Sequence, residues 1–109
     1  MNLQLPSAVQ TYFEIINGDD ISRMAACFCN DARVIDENRM HQGIEAIESW
    51  QQAARQAFTY RVEPLESSAE DDQLSVTAMV SGDFPGSPLT LKHVFILRDG
   101  RISSLEIAP

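Results

Sequence analysis

Residues 88–100, "PLTLKHVFILRDG", and residues 101–109, "RISSLEIAP", decide the fold between them. Large apolar side chains alternate along both runs. Leu89, Leu91, His93, Phe95 and Leu97 share one face of the first, and Ser103, Leu105 and Ile107 share one face of the second. Asp99-Gly100 lies between them, and such a pair suits the positive φ angles of a two-residue hairpin turn. The stretch therefore predicts two antiparallel strands with one greasy face.

The same period of two extends upstream. Leu74, Val76, Ala78 and Val80 alternate with Ser75, Thr77, Met79 and Ser81, and Phe58, Tyr60 and Val62 with Thr59, Arg61 and Glu63. "FPGS", residues 84–87, puts Pro85 and Gly86 where a type II turn wants them. The acidic "ESSAEDD", residues 66–72, reads as a solvated hairpin loop. An earlier strand opens "NDARVIDENRMHQG", residues 30–43, where Ala32, Val34 and Asp36 fall on one face. The remainder of that stretch reads as a turn, with His41 on the surface.

Elsewhere the period is 3.6. Val9, Tyr12, Phe13 and Ile16 form the buried stripe of a first helix, started by Pro6-Ser7 and stopped by Asn17-Gly18. Asp19 or Asp20 caps a short second helix with the stripe Ile21, Met24, Ala25 and Phe28. "GIEAIESWQQAARQAF", residues 43–58, is a third helix with Ile44, Ile47, Gln51 and Ala54 in one row and Ala46, Trp50, Ala53 and Ala57 beside it. Helices first and strands after predict an α+β domain spanning residues 1–109, with three helices packed against a curved antiparallel sheet.

The outer face of that sheet is too apolar to be wet throughout. Met79, Val94, Ile96 and Ile102 would all lie there, which predicts a homodimer surface.

Composition excludes several classes. The net charge of −8 leaves no basic footprint for nucleic acid and disfavours anionic membranes. No apolar run approaches the roughly 20 residues that span a bilayer, and the opening residues do not read as a signal peptide. A cytoplasmic location is expected. Cys27 and Cys29 read as buried, reduced thiols, because their two-residue spacing on a helix sends them to different sides. No cofactor or metal is expected; a site built from His93, Asp36 and His41 is the one weighed.

Three polar groups interrupt faces that are otherwise apolar: Tyr12, Asp36 and His93. Their convergence would make a site for a small, mostly apolar metabolite. Burial would raise the basicity of Asp36 and suit it to take a proton, while Tyr12 and a neutral His93 donate hydrogen bonds to a developing oxyanion. Phe13, Ile16, Phe28, Val34, Trp50, Phe58, Tyr60, Leu91, Phe95 and Leu105 are expected to line the hollow.

At this point the chain resembles the NTF2-like superfamily, in its SnoaL-like and ketosteroid-isomerase-like branch. "VQTYFEIINGDD" (9–20), "MAACFCNDARVIDEN" (24–38), "HQGIEAIESWQQA" (41–53) and "VSGDFPGSPLTLKHVFILRDGRISSLEIAP" (80–109) carry the resemblance in order. It implies a cone-shaped sheet with the helices in its concave side and a pocket at the open end. Tyr12 and Asp36 match the positions of the isomerases' oxyanion tyrosine and general-base aspartate. Where those enzymes keep a protonated acid as second donor, this chain has His93. Either His93 replaces that donor or it marks another reaction, such as dehydration or cyclisation. A cofactor-independent isomerase, cyclase or dehydratase is one reading; a dimerisation or ligand-binding module without activity is the other.

Overall fold

The amphipathic stripe predicted for residues 9–16 is buried in full in helix α1 (Ser7–Ile16) of the computed structural model, which describes residues 4–109. Asn17 ends the helix and Gly18 follows in the left-handed region, with φ +118°. The short second helix is less regular than its spacing suggested. A 3-10 turn, Ile21–Arg23, is capped by the Asp20 carboxylate, which accepts from the Ser22 N–H at 2.9 Å. A single α turn follows as α2 (Met24–Cys27), and Phe28 already belongs to strand β1 (Phe28–Asp36). Ala25 is consequently exposed. Cys27 and Cys29 therefore lie on different elements; both are free and buried.

What reads as a turn after Asp36 is a hairpin. Glu37 and Asn38 both take positive φ, 53° and 63°, and β2 (Arg39–Gln42) pairs antiparallel with β1, placing His41 opposite Val34. His41 is half-buried as a result, with its ring 6.1 Å from that of Trp50. Helix α3 (Ile44–Ala57) buries Ile47 and Gln51 and leaves Ala53 and Ala57 exposed.

Strands β3 (Tyr60–Glu70), β4 (Gln73–Gly82), β5 (Leu89–Arg98) and β6 (Arg101–Ala108) form a meander of antiparallel neighbours. The stretch read as an acidic loop continues β3: Glu66, Ser67, Ser68 and Ala69 pair with Thr77, Val76, Ser75 and Leu74. Charged and polar side chains suit that position, because β3 is an edge of the sheet.

The sheet is mixed rather than antiparallel throughout. Its order is β2-β1-β6-β5-β4-β3, and β1 runs parallel to β6. No tight turn joins those two strands, so hairpin geometry does not dictate their relative direction. The sheet remains open, and the helices pack on one face over a core that includes Phe28, Phe95, Ile15, Met24 and Leu105.

Two local features set the shape of this layer. Asn17 clasps β3 with both ends of its amide: Nδ2 donates to the Val62 carbonyl at 2.9 Å, and Oδ1 accepts from the Val62 N–H at 2.7 Å. Between β5 and β6 the register shifts, with Ile96 opposite Ser104 but Leu97 opposite Ile102. Ser103 is the additional residue, and its hydroxyl donates to the Ile96 carbonyl at 3.1 Å. This bulge turns Ile102 inward, where it is fully buried. Ile102 is thus a core residue and not part of the outer face; Met79 and Val94 remain there half-buried, and Ile96 is exposed.

Candidate functional site

A cavity of about 390 Å³ opens between α1, α3 and the inner face of the sheet. Its wall is mostly hydrocarbon and aromatic, from Ile16, Trp50, Phe58, Val62, Val80 and Leu91 among others. Tyr12, Asp36 and His93, from a helix and two strands, all reach it.

Tyr12 and His93 are 1% and 3% exposed, with ring centroids 6.3 Å apart. Burial pushes the Tyr12 phenol well above its ordinary range, and Tyr60, Asp36 and Cys27 add to the effect. The phenol is a neutral donor in consequence. Asp36 is half-buried rather than enclosed. Its Oδ2 accepts from the Trp50 indole N–H at 3.1 Å, which fixes the carboxylate and leaves Oδ1 for other partners.

Burial lowers the His93 imidazole from 6.5 to about 4. The ring is neutral near pH 7, and its Nδ1 is buried without a hydrogen-bond partner among the described residues. A sign follows for stability. Between pH 6.5 and about 4 the unfolded chain takes up a proton that folded His93 refuses. Stability therefore falls as pH drops through that window, by on the order of 3 kcal/mol at its lower end. In His93→Gln, urea unfolding at a series of pH values should show a slope flatter by up to about 1.4 kcal/mol per pH unit than in the unmodified protein. Equal slopes would mean that His93 titrates as it does in the unfolded chain.

The expected lining divides in two. Ile16, Trp50, Phe58, Tyr60 and Leu91 face the cavity. Phe13, Phe28, Val34, Phe95 and Leu105 do not; they belong to the packed core around it. Phe95 packs edge-to-face in that core against Tyr12 and Phe13, at 5.5 and 5.9 Å between ring centroids.

Residues that sequence reasoning passed over complete the wall. Phe84 and Pro85 reach it from the turn after β4, in which Ser87 N–H donates to the Phe84 carbonyl and Gly86 has φ +92°. Phe84 faces Phe58, with ring centroids 6.0 Å apart. Gln51 also lines the cavity, fully buried, with its Nε2 donating to the Tyr60 hydroxyl at 2.9 Å. Its signal was available: an amide in the apolar row of α3 interrupts that row as His93 interrupts β5. Among the described residues, no three His, Cys, Asp or Glu side chains are grouped as a metal site requires. No described helix is long and apolar enough to cross a membrane.

A family model for the SnoaL-like domain matches residues 9–105. Among solved structures, a Sinorhizobium meliloti protein provisionally named a polyketide cyclase is 47% identical, with 94% of each chain covered and a TM-score of 0.90. An Agrobacterium tumefaciens protein provisionally named an isomerase of the SnoaL-like family is 21% identical over 93% of this chain and 92% of its own, with a TM-score of 0.78. A Catenulispora acidiphila protein with a ketosteroid-isomerase-like fold, solved with trimethylamine, is 18% identical over 97% and 87%, with a TM-score of 0.82. The latter two establish the common fold alone. No curated protein is similar enough to register as a relative. With α1 through most of β6 matched and nearly half its residues shared with the first of these structures, the chain belongs to the SnoaL-like family, within the NTF2-like fold.

Proposed function

We propose that the cavity binds a small, largely apolar carbonyl compound and moves a proton next to that carbonyl, as an isomerase or cyclase would. The observation that carries this reading is the meeting of Tyr12, His93 and Asp36 at one hydrocarbon-lined hollow. The 47% identity to a protein provisionally named a polyketide cyclase supports the same class of chemistry.

Asp36 Oδ1 takes a proton from the carbon beside the carbonyl while Trp50 holds Oδ2. Negative charge then develops on the carbonyl oxygen, where the Tyr12 hydroxyl and a neutral His93 N–H donate to it. Where a C=C bond lies β,γ to the carbonyl, the resulting dienolate regains the proton from Asp36 at its γ-carbon, which isomerises the compound; where a second carbonyl is in reach, the enolate carbon attacks it and the new alkoxide takes that proton from Asp36, which closes a ring. Both outcomes need no cofactor. The low-dielectric wall strengthens the two donated hydrogen bonds relative to water.

α-Tetralone is a suitable probe, being compact, apolar and enolisable. In deuterated buffer the protein should accelerate exchange of the α-hydrogens, followed by proton magnetic resonance. Binding without exchange would favour the non-catalytic alternative, and neither binding nor exchange would remove the carbonyl reading.

The outer sheet face, with Met79, Val94 and Ile96, is the surface we assign to pairing of two copies, and the two free cysteines suit a reducing compartment such as the cytoplasm. Native mass spectrometry of the purified protein reads subunit number and any retained metabolite together.

A further inference from the structure

Gln51 and His93 are buried polar side chains, and each keeps one atom without a partner among the described residues. The proton-transfer chemistry uses His93. It leaves Gln51 without a role.

Simple packing does not explain an amide at this place. A leucine or methionine would fill a similar volume without placing a carbonyl oxygen in a low dielectric, where an unmade hydrogen bond costs free energy. Gln51 Nε2 is engaged with the Tyr60 hydroxyl at 2.9 Å, while Oε1 has no partner among the described residues. Tyr60 accepts that bond, so its own proton is uncommitted, and burial raises the phenol above its ordinary range and keeps it protonated. Both residues line the cavity. Together they offer one acceptor and one donor at neighbouring points on its wall.

A hydroxyl satisfies both. It donates to Gln51 Oε1 and accepts from the Tyr60 O–H. A second carbonyl or an ether has no proton for Oε1, and a methyl group leaves both groups unpaired. The pair is also placed to act alongside the proposed chemistry: on α3, Trp50 holds Asp36 while the adjacent Gln51 holds Tyr60.

We infer that Gln51 and Tyr60 form a hydroxyl-reading subsite, and that the cavity takes a ketone carrying a phenolic or alcoholic hydroxyl away from its reacting carbonyl. This deepens the carbonyl-binding reading above and rests on it.

Isothermal titration calorimetry with α-tetralone and its ring-hydroxylated derivatives tests the inference on the unmodified protein, Gln51→Leu and Tyr60→Phe. The unmodified protein should bind at least one hydroxylated ketone about tenfold more tightly than α-tetralone, the effect of one buried hydrogen-bonded group. Gln51→Leu should lose that preference, so that its affinities for α-tetralone and for the hydroxylated ketones become equal. Tyr60→Phe should weaken the preference in the same direction. It leaves α3 untouched, so it decides the matter if circular dichroism shows Gln51→Leu to be unfolded. Equal affinities in the unmodified protein, or a preference that survives the substitutions, would overturn the subsite while leaving carbonyl binding intact. No binding of any of these ketones would remove the carbonyl reading and the subsite with it.

Discussion

Asp36→Asn is expected to slow α-hydrogen exchange by on the order of 10²–10⁴-fold, the usual contribution of a positioned general base. The substitution changes little else. Asparagine has nearly the same shape, and its amide oxygen can still accept the Trp50 indole N–H that aspartate accepts at 3.1 Å. No ion pair is lost either, because none of the salt bridges among the described residues includes Asp36. The melting temperature should therefore stay within about 2 °C, corresponding to a change of a few tenths of a kcal/mol. A variant that exchanges at the unmodified rate would end the role of Asp36 as base. A variant that loses exchange by unfolding would leave the role undecided by activity alone, so circular dichroism belongs beside the rate measurement.

Ile102→Lys should prevent folding, whereas Ile96→Lys, exposed in the single subunit, should cost that subunit's own fold no more than about 1 kcal/mol. The two positions look alike in sequence, since an unbroken alternation puts both on the outer face. The bulge at Ser103 separates them: Ile102 is fully buried beside Phe28, and Ile96 is 36% exposed. An unpaired ammonium in the core costs at least 4–5 kcal/mol by typical measures, comparable with the whole stability of a small domain. Circular dichroism and urea unfolding would read the difference. A cooperatively folded Ile102→Lys would place that side chain outside after all.

The elements that could be read from sequence are those whose pattern is local. Helix α1, the turn at Asp99-Gly100 and the Pro85-Gly86 turn each depend on residues within a few positions of one another. The parallel pairing of β1 with β6 has no such signature, because its partners lie far apart in the sequence. A bulge is equally silent: Ser103 looks like any other alternating residue until the partner strand is known. At the site, Tyr12, Asp36 and His93 stood out because each breaks an apolar stripe. Depth did not stand out. The helical stripe of Phe13 and the alternation of Val34, Phe95 and Leu105 say that these side chains point inward, but inward includes both cavity wall and solid core, and these belong to the core. Gln51 was visible as an interruption; its unpaired oxygen was not, since that depends on how Tyr60 meets it from another element.

The parallel pair also dictates an order of events during synthesis. Strand β6 is late in the chain yet sits in the middle of the sheet, between β1 and β5. Until residues 101–108 have left the ribosome, the β1–β2 hairpin has no further strand to join, and the meander of β3, β4 and β5 ends in an open edge. Closing the large loop between Phe28 and Ile102 is entropically costly and slow compared with hairpin formation. A nascent chain stalled just short of that point exposes two unpaired edges, and it is the species that a chaperone would have to shield.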